Sequence, residues 1–224
     1  MDVLQGTKAA VARQLFEVGA VKFGEFRLKL HETQPDAPLS PIYLNLRTDR
    51  HPKNPGPLTD EIMELIGDLF AELPLAPFVR FADIPEAGQP FGDQVQRMVV
   101  SAQLPASRLT LHKEVLPDGT RHITRQVDGY SRMGDSCLLV DELITQADSK
   151  LEAIIALEGY GLIVLEVLVL VDRMQGGRQQ LEAAGYNLHS VFTLEELLAF
   201  YVQEDLVDQS KADQVLDYVV ANQL

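Results

Sequence analysis

The sequence predicts an α/β fold, a central parallel β-sheet flanked by helices on both faces. Three observations predict it. From about residue 60 onward, strand-like and helix-like segments alternate. Two of the strands, near 137–143 and 162–171, carry apolar residues on both faces, as strands do when helices cover each side of a sheet. These strands end in charged pairs, Asp141-Glu142 and Asp172-Arg173, at the carboxyl edge where open α/β sheets bind their ligands.

The elements follow in order. Residues 8–18, KAAVARQLFEV, read as a helix ended by Gly19. VKFGEFRLKL alternates in the manner of a strand. HETQPDAPLSP is a polar, proline-containing loop, and IYLNLRT is the strand that returns from it. Pro52, Pro55 and Pro57 then exclude regular structure. Thr59 or Asp60 caps the helix EIMELIGDLFAEL, whose apolar residues recur at three and four. FVRFADIPEAGQPFGDQ leads into a helix ending near Val100, and RLTLHKEV is a strand. Residues 116–136 are polar and contain glycine, the composition of an exposed excursion. CLLVDEL is then a strand, SKLEAIIALEGYG a helix, LIVLEVLVLVD a long apolar strand, GGRQQLEAAG a helix and HSVFT a short strand. LEELLAFYVQ and KADQVLDYVVANQ are helical.

The bulk composition narrows the function. The 224 residues suffice for one domain with a full core, or a domain with a small appendage. Hydrophobic residues at 46% and charged ones at 23% are ordinary for a soluble globular protein. No apolar run approaches the roughly 20 residues of a membrane span, and the first residues lack the continuous apolar region of a signal peptide. No membrane partner is expected, and a cytoplasmic location follows. The single cysteine, Cys137, excludes an internal disulfide framework and a Cys-rich zinc site. His112, His122 and His189 have no partners at metal-ligand spacing. A net charge of −14 and a pI near 4.7 argue against a nucleic-acid partner, which needs a clustered basic surface. The same charge repels an anionic substrate, so local cations and backbone N–H groups must hold it.

The stretch LLVDELITQADS carries the most chemistry. Two carboxylates followed by a Thr/Ser loop at a helix start suit a phosphorylated sugar. Loop N–H groups and the helix dipole take the phosphate, and the acids take sugar hydroxyls or a hydrated Mg²⁺. A plainer reading also fits these residues, in which Asp148 or Ser149 only caps the helix. The loop lacks the Gly-x-x-x-x-Gly-Lys-Ser/Thr of a nucleotide P-loop, and no Gly-x-Gly-x-x-Gly follows a strand.

The same stretch resembles the phosphoribosyl pyrophosphate signature of the type I phosphoribosyltransferases: an apolar strand, two acids, two apolar residues, then Thr and a small-residue loop. Further segments are similar to the orotate phosphoribosyltransferases within that family. EVGAVKFGEFRLKL followed by SPIYLNLR resembles their N-terminal segment, and RLTLHKEV the Arg-Lys-Glu strand before their flexible catalytic loop. VDRMQGGRQQLEAAG followed by HSVFTLEELL resembles their C-terminal region.

The resemblance implies a phosphoribosyltransferase core over residues 59–224 and an N-terminal helix and hood segment over 1–58. It implies transfer of ribose 5-phosphate from phosphoribosyl pyrophosphate to orotate, with Mg²⁺, in a homodimer whose flexible loop reaches the partner's site. Asp141 and Glu142 would hold the ribose hydroxyls and a metal, the latter through water, and Lys113 would join them as a catalytic group. Thr145, Gln146, Ala147, Asp148 and Ser149 would cradle the 5′-phosphate. Lys29 and Tyr43 would lie at the substrates, and Arg178 would pair with the orotate carboxylate, for which a guanidinium fork is suited.

Departures gather at the leaving group. Leu116 and Asp118 stand where the family loop carries a lysine and a histidine, and His112 stands for the arginine. Glu86 stands in the pyrophosphate loop where relatives carry a basic or neutral residue, and Gln146-Ala147-Asp148 replaces a glycine-rich phosphate loop. Residues 31–39 form an insertion in the N-terminal hairpin. All of the substitutions reduce positive charge. They open an alternative, a non-catalytic nucleotide-binding or regulatory protein on the same fold, unless Arg121, His122 and Arg125 supply the missing cations.

Overall fold

The computed structural model describes residues 4–27, 31, 35–117 and 119–222. The chain forms two compact units. One draws on residues up to Leu65 together with the segment from Thr193, the other on Ile66–Phe192. A single boundary after residue 58 follows the proline-rich stretch; the compact grouping instead joins the C-terminal helices to the N-terminal segment.

The first unit contains α1 (Gly6–Glu17), the antiparallel hairpin β1 (Val21–Phe26) and β2 (Ser40–Leu44), and the C-terminal helices α6 (Leu194–Gln203) and α7 (Gln209–Ala221). A capping box starts α6: the Thr193 hydroxyl accepts the Glu196 N–H and the Glu196 carboxylate accepts the Thr193 N–H. Val11, Ala12 and Leu15 of α1 are buried, as are Leu197, Leu198 and Tyr201 of α6. The buried Tyr201 hydroxyl donates to the Ala12 carbonyl at 3.0 Å, which satisfies the one polar atom of that ring. The helix α2 (Asp60–Glu72) runs across the boundary between the units.

The second unit contains β3 (Arg80–Asp83), α3 (Gln89–Ser101), β4 (Ser107–Val115), β5 (Arg121–Asp128), β6 (Ser136–Ile144), α4 (Asp148–Gly159), β7 (Ile163–Asp172), α5 (Gly177–Ala183) and β8, which starts at Asn187. These strands form one six-stranded sheet in the order β5-β4-β3-β6-β7-β8. β4, β3, β6 and β7 pair in parallel, and β5 runs antiparallel to β4. The expected α/β class with its largely parallel central sheet is therefore observed.

One segment differs from its reading. The polar stretch 116–136 is not wholly an excursion, because Arg121–Asp128 forms β5 along the edge of the sheet. Ile123 and Val127 are buried in the core beside Leu109 and Leu111 of β4. Polar neighbours mask these two apolar residues in a composition average, but the strand period sets them on one face. Among the described residues, no helix is long and apolar enough to cross a membrane.

Candidate functional site

Register brings three strand ends together. Asp83 at the end of β3 pairs with Val140 of β6, and Ile144 at the end of β6 pairs with Asp172 of β7. The acid pair, the loop 84–88 and the segment 172–178 thus share one carboxyl edge of the sheet.

The loop after β6 is braced from the β7–α5 side. Thr145 accepts the Gly177 N–H at 3.0 Å, Ile144 accepts the Arg173 N–H at 2.9 Å, and the Gln180 amide oxygen accepts the Ala147 N–H at 2.7 Å. A Cβ on Gly177 would sit 2.5 Å from Ile144 Cγ1 and 2.9 Å from the Thr145 carbonyl, so only glycine permits this approach. Ala147 is the N-cap of α4 and no side chain caps that end, so neither Asp148 nor Ser149 serves as the N-cap. Asp148 is exposed in the first helical turn, where an acid is stabilised by the dipole. Of the five expected phosphate-cradle residues, Thr145 and Ala147 are tied into the brace through backbone groups, while Gln146, Asp148 and Ser149 border the open helix end.

The two acids part company. Adjacent strand residues face opposite sides, and Asp141 has the parity of Cys137 and Leu139, which pack in the core with Ala153, Ile154 and Leu157 of α4. Asp141 is 3% exposed. Its Oδ2 is ion-paired to Lys150 Nζ, and its Oδ1 accepts the Glu142 N–H at 2.9 Å. Glu142 is half-buried with its carboxyl beside that of Asp141, and its Oε2 is buried with no hydrogen-bond partner among the described residues. Burial, and then the neighbouring Asp141 charge, raise its pKa well above the usual glutamate range.

A divalent cation needs charged oxygens free to bind it. Asp141 has both of its oxygens engaged and Glu142 is driven toward its neutral form, so the pair does not fit as direct metal ligands. Among the described residues, no cluster of three or more His, Cys, Asp or Glu side chains is placed to hold a metal.

The remaining candidates are placed as follows. Lys113 on β4 donates to the Pro85 carbonyl at 3.3 Å, which sets an ammonium beside the loop that carries exposed Glu86. Arg178 at the start of α5 donates from Nε to Asp172 at 2.9 Å, from Nη1 to the Leu188 carbonyl at 2.9 Å and from Nη2 to Ser190 at 3.2 Å. Its fork is thus largely engaged within the second unit, and its contact with Glu182 at 4.0 Å is marginal. Tyr43 lies on β2 of the first unit, with its ring 5.6 Å from that of Phe26. His122 is tied to Glu152 of α4 at 3.4 Å, and Leu116 is exposed at the hairpin turn. Lys29 and Asp118 lie outside the described residues.

Sequence reading passed over two residues here. Lys150 falls on the stripe 150, 153, 154 and 157 that a helix buries, and a lysine on such a stripe is the signal for a buried partner. Gln180, which holds the Ala147 N–H, carries no such signal. Asp172 is buried behind Arg178 with its side chain 3% exposed. Replacing Arg178 with alanine is expected to lower stability by about 1.5–3 kcal/mol, read by thermal melting, because it strands that carboxylate.

No family model matches the chain. Among curated proteins, it is 32% identical to orotate phosphoribosyltransferase of Methanopyrus kandleri over 192 residues, covering 84% of this chain and 90% of the relative. The chain belongs to the orotate phosphoribosyltransferase family. The bovine uridine 5′-monophosphate synthase is 28% identical over 209 residues, 93% of this chain, and the chain spans only 40% of that relative's length. Solved structures agree. UMP synthase of Leishmania donovani superposes with a TM-score of 0.73 at 26% identity over 96% of this chain and 43% of its own. The orotate phosphoribosyltransferase of Aeropyrum pernix gives 0.64 at 26% identity over 84% and 96%.

Proposed function

We propose that the chain transfers ribose 5-phosphate from phosphoribosyl pyrophosphate to orotate, giving orotidine 5′-monophosphate and pyrophosphate. One observation carries the reading: the uncapped start of α4 stands one loop away from Glu142, whose Oε2 is buried with no hydrogen-bond partner among the described residues, at the same strand end. The helix end is suited to a phosphate and the carboxyl to a sugar hydroxyl. Positive charge that develops on the sugar would favour the ionised form of Glu142 and so be met by it, and charge on the departing pyrophosphate would be met by Lys113 and backbone N–H groups near 84–88. Magnesium would enter with the donor as part of the substrate and would supply positive charge for the leaving group. Incubation with orotate, phosphoribosyl pyrophosphate and Mg²⁺ is expected to lower orotate absorbance. Folded protein that gives no turnover rejects the reading.

A second reading, ligand binding without transfer, is favoured by exposed Leu116 at the hairpin turn and by the engaged fork of Arg178. Calorimetric binding of orotidine 5′-monophosphate in the absence of turnover selects it. The proposal includes a homodimer. Light scattering is expected to return twice the 24.9 kDa chain mass.

A further inference from the structure

Backbone N–H groups serve a developing negative charge only when their direction is fixed beforehand. The loop 84–88 is given that task in the proposed reaction. Its inner closure is modest: the Ile84 N–H donates to the Val140 carbonyl and the Gly88 N–H to the Ile84 carbonyl, each at 3.0 Å.

The two ends of the loop meet in one side chain. Arg108 of β4 donates from Nε to Asp83 Oδ1 at 2.6 Å, on the residue before the loop. It donates from Nη2 to the Gln89 carbonyl at 3.0 Å, on the residue after it. Its Nη1 is on Asp93, one turn further along α3. The Asp83 side chain is 7% exposed and that of Arg108 is 28%. A Cβ on Gly92 would sit 2.5 Å from Asp83 Oδ1 and 2.8 Å from Arg108 Nη2, so the small residue lets α3 lie this close over the pair. All three nitrogens of the guanidinium are engaged, two of them on carboxylates. The group is therefore not a spare cation for an anionic ligand, and what it supplies is geometry. A planar fork can span three acceptors at fixed angles, which an ammonium cannot.

We propose that Arg108 is a positioning residue for the pyrophosphate end of the reaction, holding Asp83 and Gln89 with one planar group and so fixing the span of the loop 84–88. The proposal rests on the phosphoribosyl reading above and goes further, since it names what orders the loop that meets the leaving group. A loop pinned at both ends loses its freedom on folding rather than on binding.

The test is calorimetric titration with magnesium pyrophosphate and, separately, with ribose 5-phosphate. The unmodified chain is expected to bind both. Two variants are compared with it. Arg108→Lys keeps the charge but puts one nitrogen in place of three. Arg108→Met combined with Asp83→Asn removes the pair without leaving a buried charge alone, so the chain still folds. Pyrophosphate is expected to bind about tenfold more weakly to both variants, and ribose 5-phosphate within about twofold of the unmodified chain. A merely structural role would weaken both ligands together or neither, and either result overturns the proposal. Parent-like pyrophosphate binding in Arg108→Lys also overturns it, because charge rather than geometry would then be the contribution. An unmodified chain that binds ribose 5-phosphate but not pyrophosphate overturns this proposal alone. One that binds neither overturns the phosphoribosyl reading, and this proposal with it.

Discussion

Replacing Lys150 with methionine is expected to cost about 3–5 kcal/mol of stability, a fall of roughly 6–20 °C in Tm for a chain of this size. The reason is asymmetric. Methionine fills much of the space of lysine, so little packing is lost. The Asp141 carboxylate, 3% exposed, is left charged in a dry pocket with no cation. Replacing both partners, as in Asp141→Leu with Lys150→Met, removes the stranded charge and is expected to recover most of the loss, because a buried pair exchanged for apolar residues of similar volume is often neutral. Differential scanning calorimetry of the two single variants and the double distinguishes the cases. If Lys150→Met melts within about 2 °C of the parent chain, the ammonium is not the buried partner of Asp141.

Glu142→Gln is expected to act in opposite directions on stability and catalysis. The folded chain raises the Glu142 pKa above 4.5, through burial first and the Asp141 charge second. Between the unfolded value and that raised value the native chain keeps a proton that the unfolded chain gives up, so stability falls as pH rises through this window. Glutamine, which never ionises, removes the fall. The variant should therefore melt at a higher temperature than the parent at pH 8, with the gap closing toward pH 4. Turnover should drop by about 10²-fold or more, since developing positive charge on the sugar favours the ionised carboxyl and glutamine cannot ionise. A variant that melts lower at pH 8 than at pH 5, in parallel with the parent, would show that Glu142 is not the group that carries the pH dependence.

Much of the fold was legible from residue pattern. The doubly apolar strands ending at Ile144 and Asp172 required helices on both sides, and helices flank the sheet they form. The helix starts after Thr145 and Gly176 lie close to where the turn residues placed them. The edge strand Arg121–Asp128 was not legible, because its two core residues are outnumbered by polar ones and only pairing with β4 reveals their common face. The candidate site divided in the same way. The loop 145–149 after β6 follows from the order of segments along the chain, whereas Lys113 is set beside Pro85 only by the folding of β4 against β3. The engagement of Arg178 with Asp172, Leu188 and Ser190 spans residues six to twelve positions apart and depends on how α5 lies over β8.

By itself, the sequence determined the class of fold and the position of two neighbouring acids at the carboxyl edge of its sheet. Strand alternation and helical period are local properties, and local chain geometry is written in consecutive residues. Only the tertiary structure decided that these acids differ. Asp141 is paired with a lysine that α4 brings back to it, while Glu142 keeps one buried oxygen with no donor among the described residues. Which charge a carboxylate meets depends on the element packed against its side of the strand, and no spacing along the chain records that.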